Sequence, residues 1–374
     1  MVVVHIITGL GIGGAESMLL QLLRASARTD TRHIVLTLSS ENALVRQVEA
    51  ANANVVNLRA GGKGWVLAAL WRARKLVKTH HASLVMTWLH HADLFGVMLK
   101  CLCPKLPLIW NIRCSKLAPG YLPRRNLVMV RILARLSRVP VAIVANSHAG
   151  MREHVVVGYR PDGWRILPNG FDTGRLSPDA ESGRQLRREI GIEPDAFLIG
   201  LVARFHPMKG FDLFVRAAAQ VAAKTDKVHF VLVGSGVNWD NQELAEWIAA
   251  AGLQKRVTLL GQRHDIPRIM NLIDVLVSSS TSEGFSNVIG EAMACGTPCI
   301  ATDVGDSASL VGDSGKVIAS GDEDALAAAM QDLSEMRPAD YNILREAARS
   351  RILAEFSINE IAARYQKLFD EFAN

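Results

Sequence analysis

A chain of 374 residues exceeds what one hydrophobic core usually organises, and a hydrophobic share of 49% is enough for two packed interiors. No apolar run approaches the roughly 18 residues a bilayer-spanning helix needs, and the five cysteines, at 101, 103, 114, 295 and 299, have neither an even count nor zinc-finger spacing, which sets aside membrane-spanning and disulfide-scaffold classes. The net charge of +6 hides a division: residues 1–170 carry 22 Lys and Arg against 7 Asp and Glu, whereas residues 171–374 carry 20 against 29, so the first half suits an anionic partner.

The chain opens with an apolar run, Val2–Thr8, that reads as a buried strand and lacks the basic start and cleavage site of a signal peptide, which predicts a cytoplasmic protein. Gly9-Leu-Gly11-Ile-Gly-Gly14-Ala-Glu16 follows it and formally matches G-x-G-x-x-G. A dinucleotide site also wants an acid at the tip of the second strand, and here that strand ends Thr37-Leu-Ser-Ser40. The glycines still allow close backbone approach to a ligand. Further apolar, β-branched runs at His33–Leu38, Val55–Leu58, Leu84–Trp88, Leu106–Ile112, Ala142–Asn146 and Trp164–Leu167 alternate with helical patterns, the rhythm of a parallel sheet with crossover helices. Two of those helical patterns, residues 63–75 and 124–138, are basic and amphipathic, as at a membrane surface. No zinc finger or RNA-recognition signature accompanies the charge, so nucleic acid is not expected. Trp88-Leu-His90-His91-Ala-Asp93 closes the fourth strand. On an extended chain adjacent side chains point to opposite sides, so one of the two histidines lines the ligand site. A metal would need further ligands at suitable spacing, and none stand nearby in the sequence.

Residues 168–195 are rich in turn formers and charge and read as a hinge. Beyond it the strand pattern repeats at Phe197–Ala203, His229–Val233, Val257–Leu260, Val275–Ser278, Pro298–Thr302 and Lys316–Ala319, which predicts a second doubly wound domain facing the first across a cleft. Arg204 and Lys209 follow the first of these strands, where an Arg fork and a Lys point charge suit a diphosphate. Gly234, in Val233-Gly-Ser-Gly236, and Arg263, after Gly261, end the next two strands and are candidates to meet a base or ribose. The fourth leads into Ser278-Ser-Ser-Thr-Ser-Glu283-Gly284-Phe285-Ser286-Asn287-Val288-Ile-Gly-Glu291. Ser286 and Asn287 read as caps of a helix running from Val288 to Met293, so the loop ends at unpaired N–H groups suited to phosphate. Glu283 and Glu291 flank that seat, and carboxylates there are compatible with phosphate only if they face hydroxyls. A nucleotide sugar meets both demands.

In order along the chain, Gly13-Gly-Ala-Glu16, Pro168-Asn-Gly170-Phe-Asp172, Arg204 to Lys209-Gly210, Val233-Gly-Ser-Gly236, Glu283 through Glu-Ala-Met-Ala-Cys-Gly296, and Thr302-Asp-Val-Gly305-Asp resemble the retaining glycosyltransferases of family four. The resemblance implies an α/β GT-B fold of two Rossmann-like domains: residues 1–170 for the acceptor, a linker at 171–195, and residues 196–355 for the nucleotide sugar. A last helix, 356–374, would pack back on the first domain. It implies that Arg204 and Lys209 hold the diphosphate, that Glu283 binds donor-sugar hydroxyls and Glu291 the ribose, and that backbone groups of Gly284 to Val288 lie against sugar and phosphate. Gly14 would let the first domain close on the diphosphate, and His91 or His90 would sit near the sugar, His91 being preferred because it opens His-Ala-Asp-Leu as in similar enzymes. Ser286 stands where Pro or Gly is commoner in the family. No cofactor or metal is implied. With both glutamates on hydroxyls no nucleophile remains, so retention through a front-face process is expected, from a UDP-sugar first and a GDP-sugar next. A lipid-linked saccharide acceptor at the inner membrane face fits the basic first half. A nucleotide-sugar epimerase of the same fold is the alternative, ahead of an NAD-dependent oxidoreductase.

Overall fold

The computed structural model describes residues 1–374 apart from 12, 28, 41–42, 60–64, 115–116, 118–122 and 374. Two compact units form, one from Met1–Gly170 with Ile358–Asn374, the other from Phe171–Ser357.

The first unit carries a parallel seven-stranded sheet of β1 (Val2–Ile7), β2 (Arg32–Thr37), β3 (Asn54–Asn57), β4 (Leu84–Trp88), β5 (Leu108–Ile112), β6 (Ala142–Ala145) and β7 (Trp164–Ile166), in the order β3-β2-β1-β4-β5-β6-β7. The second carries a parallel six-stranded sheet of β8 (Phe197–Val202), β9 (Val228–Val233), β10 (Val257–Leu259), β11 (Val275–Ser278), β12 (Cys299–Thr302) and β13 (Lys316–Ile318), in the order β10-β9-β8-β11-β12-β13. Every strand expected from the apolar runs is present. The runs are continuous rather than alternating because helices cover both faces of each sheet, and β4, β5, β6, β11 and β12 are buried at every position. Strand order reverses between β1 and β4 in one sheet and between β8 and β11 in the other. Ligands of such sheets bind beyond the carboxyl ends of the strands at that reversal.

Two boundaries differ from the sequence reading. The segment 171–195, expected as a linker, belongs to the second unit. Its charged stretch forms the helix Ala180–Glu189, whose N-terminus is capped by Asp179 accepting from Ser182 N. That helix lies so close to the helix Ile266–Leu272 that a Cβ at Gly183 would stand 2.0 Å from Asn271 O. High charge there marks one solvated helix face, not an open chain. The last helix begins at Ile358 rather than 356, because Phe171 N donates to Phe356 O (2.9 Å) and holds that residue in the second unit.

The helix Ile358–Phe372 completes the core of the first unit. Ile361, Tyr365, Leu368 and Phe369 are buried among Leu19, Leu22, Val3 and Trp88. Polar contacts tie the helix to the sheet: Asn111 Nδ2 donates to Tyr365 Oη (3.0 Å), and the Arg113 guanidinium reaches both Tyr365 and Asn169. Deeper in, Trp88 Nε1 donates to His5 Nδ1 (3.2 Å), and His5 Nε2 lies 2.9 Å from His33 Nδ1. No described helix is long and apolar enough to cross a membrane.

Candidate active site

The reversal between β8 and β11 assembles most of the predicted residues. β8 ends at Val202, and the chain continues through an exposed Arg204, whose guanidinium has no partner among the described residues, into a single turn, Pro207–Lys209. Gly210 ends that turn at φ +64°, and a Cβ there would stand 2.1 Å from Ser279 O. Only glycine permits this approach. Ser279 Oγ lies 3.1 Å from Lys209 O and 2.9 Å from Gly210 O, and Thr281 N donates to Met208 O (2.9 Å), so the turn bearing Lys209 is fastened to the loop that leaves β11.

That loop presents Glu283. Its Oε1 accepts from Ser280 Oγ (2.7 Å) and forms an ion pair with the Lys209 ammonium. The two side chains are only 23% and 13% exposed, so solvent weakens the pair less than at an open surface. The loop is braced from behind. Asp306 N donates to Gly284 O (3.0 Å), Thr302 Oγ1 donates to Ser280 O (2.6 Å), and a Cβ at Gly305, φ +64°, would meet Glu283 O at 2.5 Å.

The helix Asn287–Ala294 starts one residue earlier than its sequence suggests. Ser286 holds the N-cap position with extended backbone, but its buried side chain makes no cap bond. A serine that leaves the helix start uncapped leaves N–H groups for an anion. The Phe285 ring stacks 6.2 Å from Phe171, and a Cβ at Gly290 would strike that same Phe171 ring at 2.0 Å. Phe285 and Val288 therefore spend their side chains on the core, which leaves their backbone groups to a ligand. Glu291 is half-buried one turn into the helix, with no hydrogen-bond partner among the described residues. Burial pushes its carboxyl up to about 7, against a smaller pull from Arg175.

Two other candidates have structural tasks. Gly234, at φ +151°, lets the loop after β9 lie on the loop after β8, since a Cβ there would stand 1.8 Å from Ala203 O. Arg263 is engaged in a two-pronged pair with Asp265, Nε to Oδ1 at 2.8 Å and Nη2 to Oδ2 at 2.6 Å, which occupies the edge expected to meet a ligand.

Gly14 and His91 belong to the first unit, at its own reversal. Gly14 opens the helix Gly14–Ser26, and a Cβ there would have nothing within 4 Å. The histidines do not alternate about an extended chain as the sequence suggested. Leu89, at φ +69° and ψ 164°, ends the strand abruptly, and both His90 and His91 lie in the first turn of the helix His90–Leu102. His91 is exposed, whereas His90 is buried against His154, with Nε2 atoms 3.0 Å apart. His154, 64 positions from His90 in the sequence, thus stands beside it in space. Gly210 and Gly305 stood in the sequence only as motif residues, and the structure gives them their task, the close approach of backbone; the Ser280 contact to Glu283 needs the folded loop.

The family model described as "Glycosyltransferase Family 4" matches residues 12–175, and that described as "Glycosyl transferases group 1" matches residues 196–336. The lipopolysaccharide core biosynthesis mannosyltransferase LpsB of Rhizobium meliloti is 29% identical over 66% of this chain and 78% of its own. A UDP-Gal:alpha-D-GlcNAc-diphosphoundecaprenol alpha-1,3-galactosyltransferase of Escherichia coli is 29% identical over 54% of this chain and 53% of its own. Among solved structures, Anabaena HepE in complex with UDP and glucose superposes with a TM-score of 0.81 over 99% of both chains, at 24% identity. With matches in both units and the two parallel sheets of the GT-B fold, the chain belongs to glycosyltransferase family 4.

Proposed function

We propose that this protein transfers a hexose or N-acetylhexosamine, with retention and without a divalent metal in the reaction, from a UDP-sugar to a lipid-linked saccharide in surface polysaccharide assembly. The observation that carries the reading is the Lys209–Glu283 pair beside the uncapped start of the helix Asn287–Ala294. A diphosphate at that helix start would draw Lys209 toward it and free Glu283 for sugar hydroxyls, so one exchange of partners serves both halves of the donor. Arg204, unpartnered and exposed, would add a fork to the same phosphates, and Glu291 would accept from ribose hydroxyls. Arg204 and Lys209 would then stabilise the charge that grows on the departing diphosphate, whose oxygen takes the acceptor proton.

Supporting the donor assignment, HepE was solved with UDP and glucose. Supporting the acceptor, the Escherichia coli relative is named for a diphosphoundecaprenol-linked sugar. Calorimetric titration with UDP, GDP, ADP and NAD, followed by the matching sugar nucleotides, tests the reading. Selective UDP binding that weakens in Arg204→Ala is expected. Binding of NAD alone, or of no nucleoside diphosphate, would refute it, and turnover of donor without acceptor would favour an epimerase.

A further inference from the structure

Three side chains of the first unit converge at the carboxyl ends of β4, β5 and β6: His90 from the start of the helix His90–Leu102, Cys114 from the segment after β5, and His154 from the helix His148–Val157. Their ligand atoms lie within 4.8 Å of one another, the only such group of His, Cys, Asp or Glu among the described residues. His90 Nε2 stands 3.0 Å from His154 Nε2 and 3.8 Å from Cys114 Sγ. We propose that His90, Cys114 and His154 bind one zinc ion that clamps these three segments together, separate from the transfer chemistry.

Zinc bonds of about 2.0–2.1 Å to nitrogen and about 2.3 Å to sulfur, in tetrahedral array, require edges of about 3.4 Å between nitrogens and about 3.6 Å from nitrogen to sulfur. The two edges that His90 makes depart from these by a few tenths of an ångström, within the reach of side-chain rotation, and the third, between Cys114 and His154, is within 4.8 Å. His154 is already oriented as a ligand. Its Nδ1 donates to Gly150 O (2.7 Å), which leaves the Nε2 lone pair facing His90 and Cys114, the arrangement that fixes metal-bound histidines. Gly150 is held in turn by its N–H donating to Ser147 Oγ (3.0 Å). One thiolate and two imidazoles form a borderline-soft donor set that suits zinc over magnesium or calcium.

The surroundings carry an independent sign. Asp93, one turn along the helix from His90, is fully buried, with Oδ1 accepting from Thr87 Oγ1 and Oδ2 without a partner among the described residues. The Tyr159 hydroxyl, on a ring that stands edge-on to His154 at 4.9 Å, is likewise buried without a partner among the described residues. A cation, with a water in its fourth position, would supply charge and donors to both.

Protons balance simply. Without metal, the Gly150 contact makes His154 Nε2 an acceptor and His90 Nε2 the donor to it. Metal binding moves the His90 proton to Nδ1 and releases the Cys114 thiol proton, one proton per zinc.

The test uses the full chain. Stripped protein given zinc should retain one equivalent after gel filtration, release about one proton in calorimetry across buffers of different ionisation enthalpy, and melt at a higher temperature. Cobalt in place of zinc should give a thiolate-to-metal charge-transfer band and visible ligand-field bands. The band should be lost in Cys114→Ser and kept in Cys101→Ser and Cys103→Ser, and His154→Gln should weaken zinc binding at least about 100-fold. Zinc held equally by Cys114→Ser and wild type, preference for another metal, or a wild-type cobalt spectrum without thiolate charge transfer would overturn the proposal and leave a hydrogen-bonded histidine pair. The cobalt spectrum of the wild-type chain decides even if the variants fail to fold.

Discussion

Lys209 and Glu283 neutralise each other in the absence of donor, so neither charge is left bare in a partly shielded loop. The same pairing prepares the lysine for the transition state, where charge on the leaving diphosphate is greatest. Lys209→Ala should lower turnover by about 10²-fold or more, the range for removing one electrostatic stabiliser. Single-turnover transfer assays check this, and near-wild-type rates would remove Lys209 from the role. Glu291 shows the opposite economy. Its folded value of about 7 lies above the 4.5 of an ordinary glutamate. Between those values the folded chain keeps a proton that the unfolded chain has released, so its contribution to stability falls as pH rises through that window and stays reduced above it. Glu291→Gln should therefore raise stability at pH 8 by about 1–2 kcal/mol, seen as a higher urea midpoint, while weakening UDP binding. An unchanged midpoint would mean that the carboxylate is already satisfied. Both glutamates stood out in the sequence because they bracket a recognisable helix start. Their environments did not: Lys209 and Glu283 are 74 positions apart, and burial of Glu291 depends on how its helix packs.

At the scale of elements, the helices Trp65–Thr79 and Arg124–Leu136 leave large apolar side chains in the open. Trp65, Leu67 and Trp71 are 52%, 68% and 58% exposed, and Val128 is 54% exposed among Arg124, Arg125, Arg131 and Arg135. Each helix buries one stripe, Ala69, Leu70, Ala73 and Val77 in the first and Val130, Leu133 and Ala134 in the second, so the exposed residues are surplus to the core. Basic residues interleaved with exposed apolar ones are the pattern of a helix that rests on an anionic bilayer. Replacing Arg124, Arg125, Arg131 and Arg135 with glutamine should abolish sedimentation with vesicles containing anionic lipid. Equal binding to neutral and anionic vesicles would count against a membrane role. Strands and helices were legible in the sequence because strands buried on both faces read as unbroken apolar runs, and Val2–Ile7 and Val275–Ser278 needed no further context. The turn after β4 was not legible. A leucine at positive φ carries no sequence mark, and the turn at Leu89 converts an expected pair of opposed histidines into one buried and one exposed.

For the molecule as a whole, the first unit encloses neutral imidazoles. Burial lowers His5 well below its ordinary 6.5, with His33 beside it adding to the effect, and burial lowers His33 to about 4. The groups facing the pair are Trp88, which donates to His5, and the Phe369 ring, neither of which offers a counter-charge. Above about pH 6.5 both folded and unfolded chains hold these histidines neutral. Below it the unfolded chain takes up protons that the folded core refuses, so stability falls by up to about 1.4 kcal/mol per pH unit for each histidine, in the case of His33 down to roughly pH 4. Urea unfolding followed by circular dichroism should show a midpoint that drops between pH 7 and pH 5, and a drop reduced in His33→Asn. A flat midpoint would place these rings in a wetter setting.

The return of Ile358–Phe372 to the first unit has a consequence for how the protein is made. Synthesis delivers β1 to β7 first, yet Tyr365 and Phe369, the cover over Trp88, His5 and His33, are made only after the whole of the second unit. Until then the earlier-made sheet has an uncovered apolar face, while the later-made residues 171–357 already hold everything their own core requires. The core of the first unit therefore cannot close until residues 171–357 have been made.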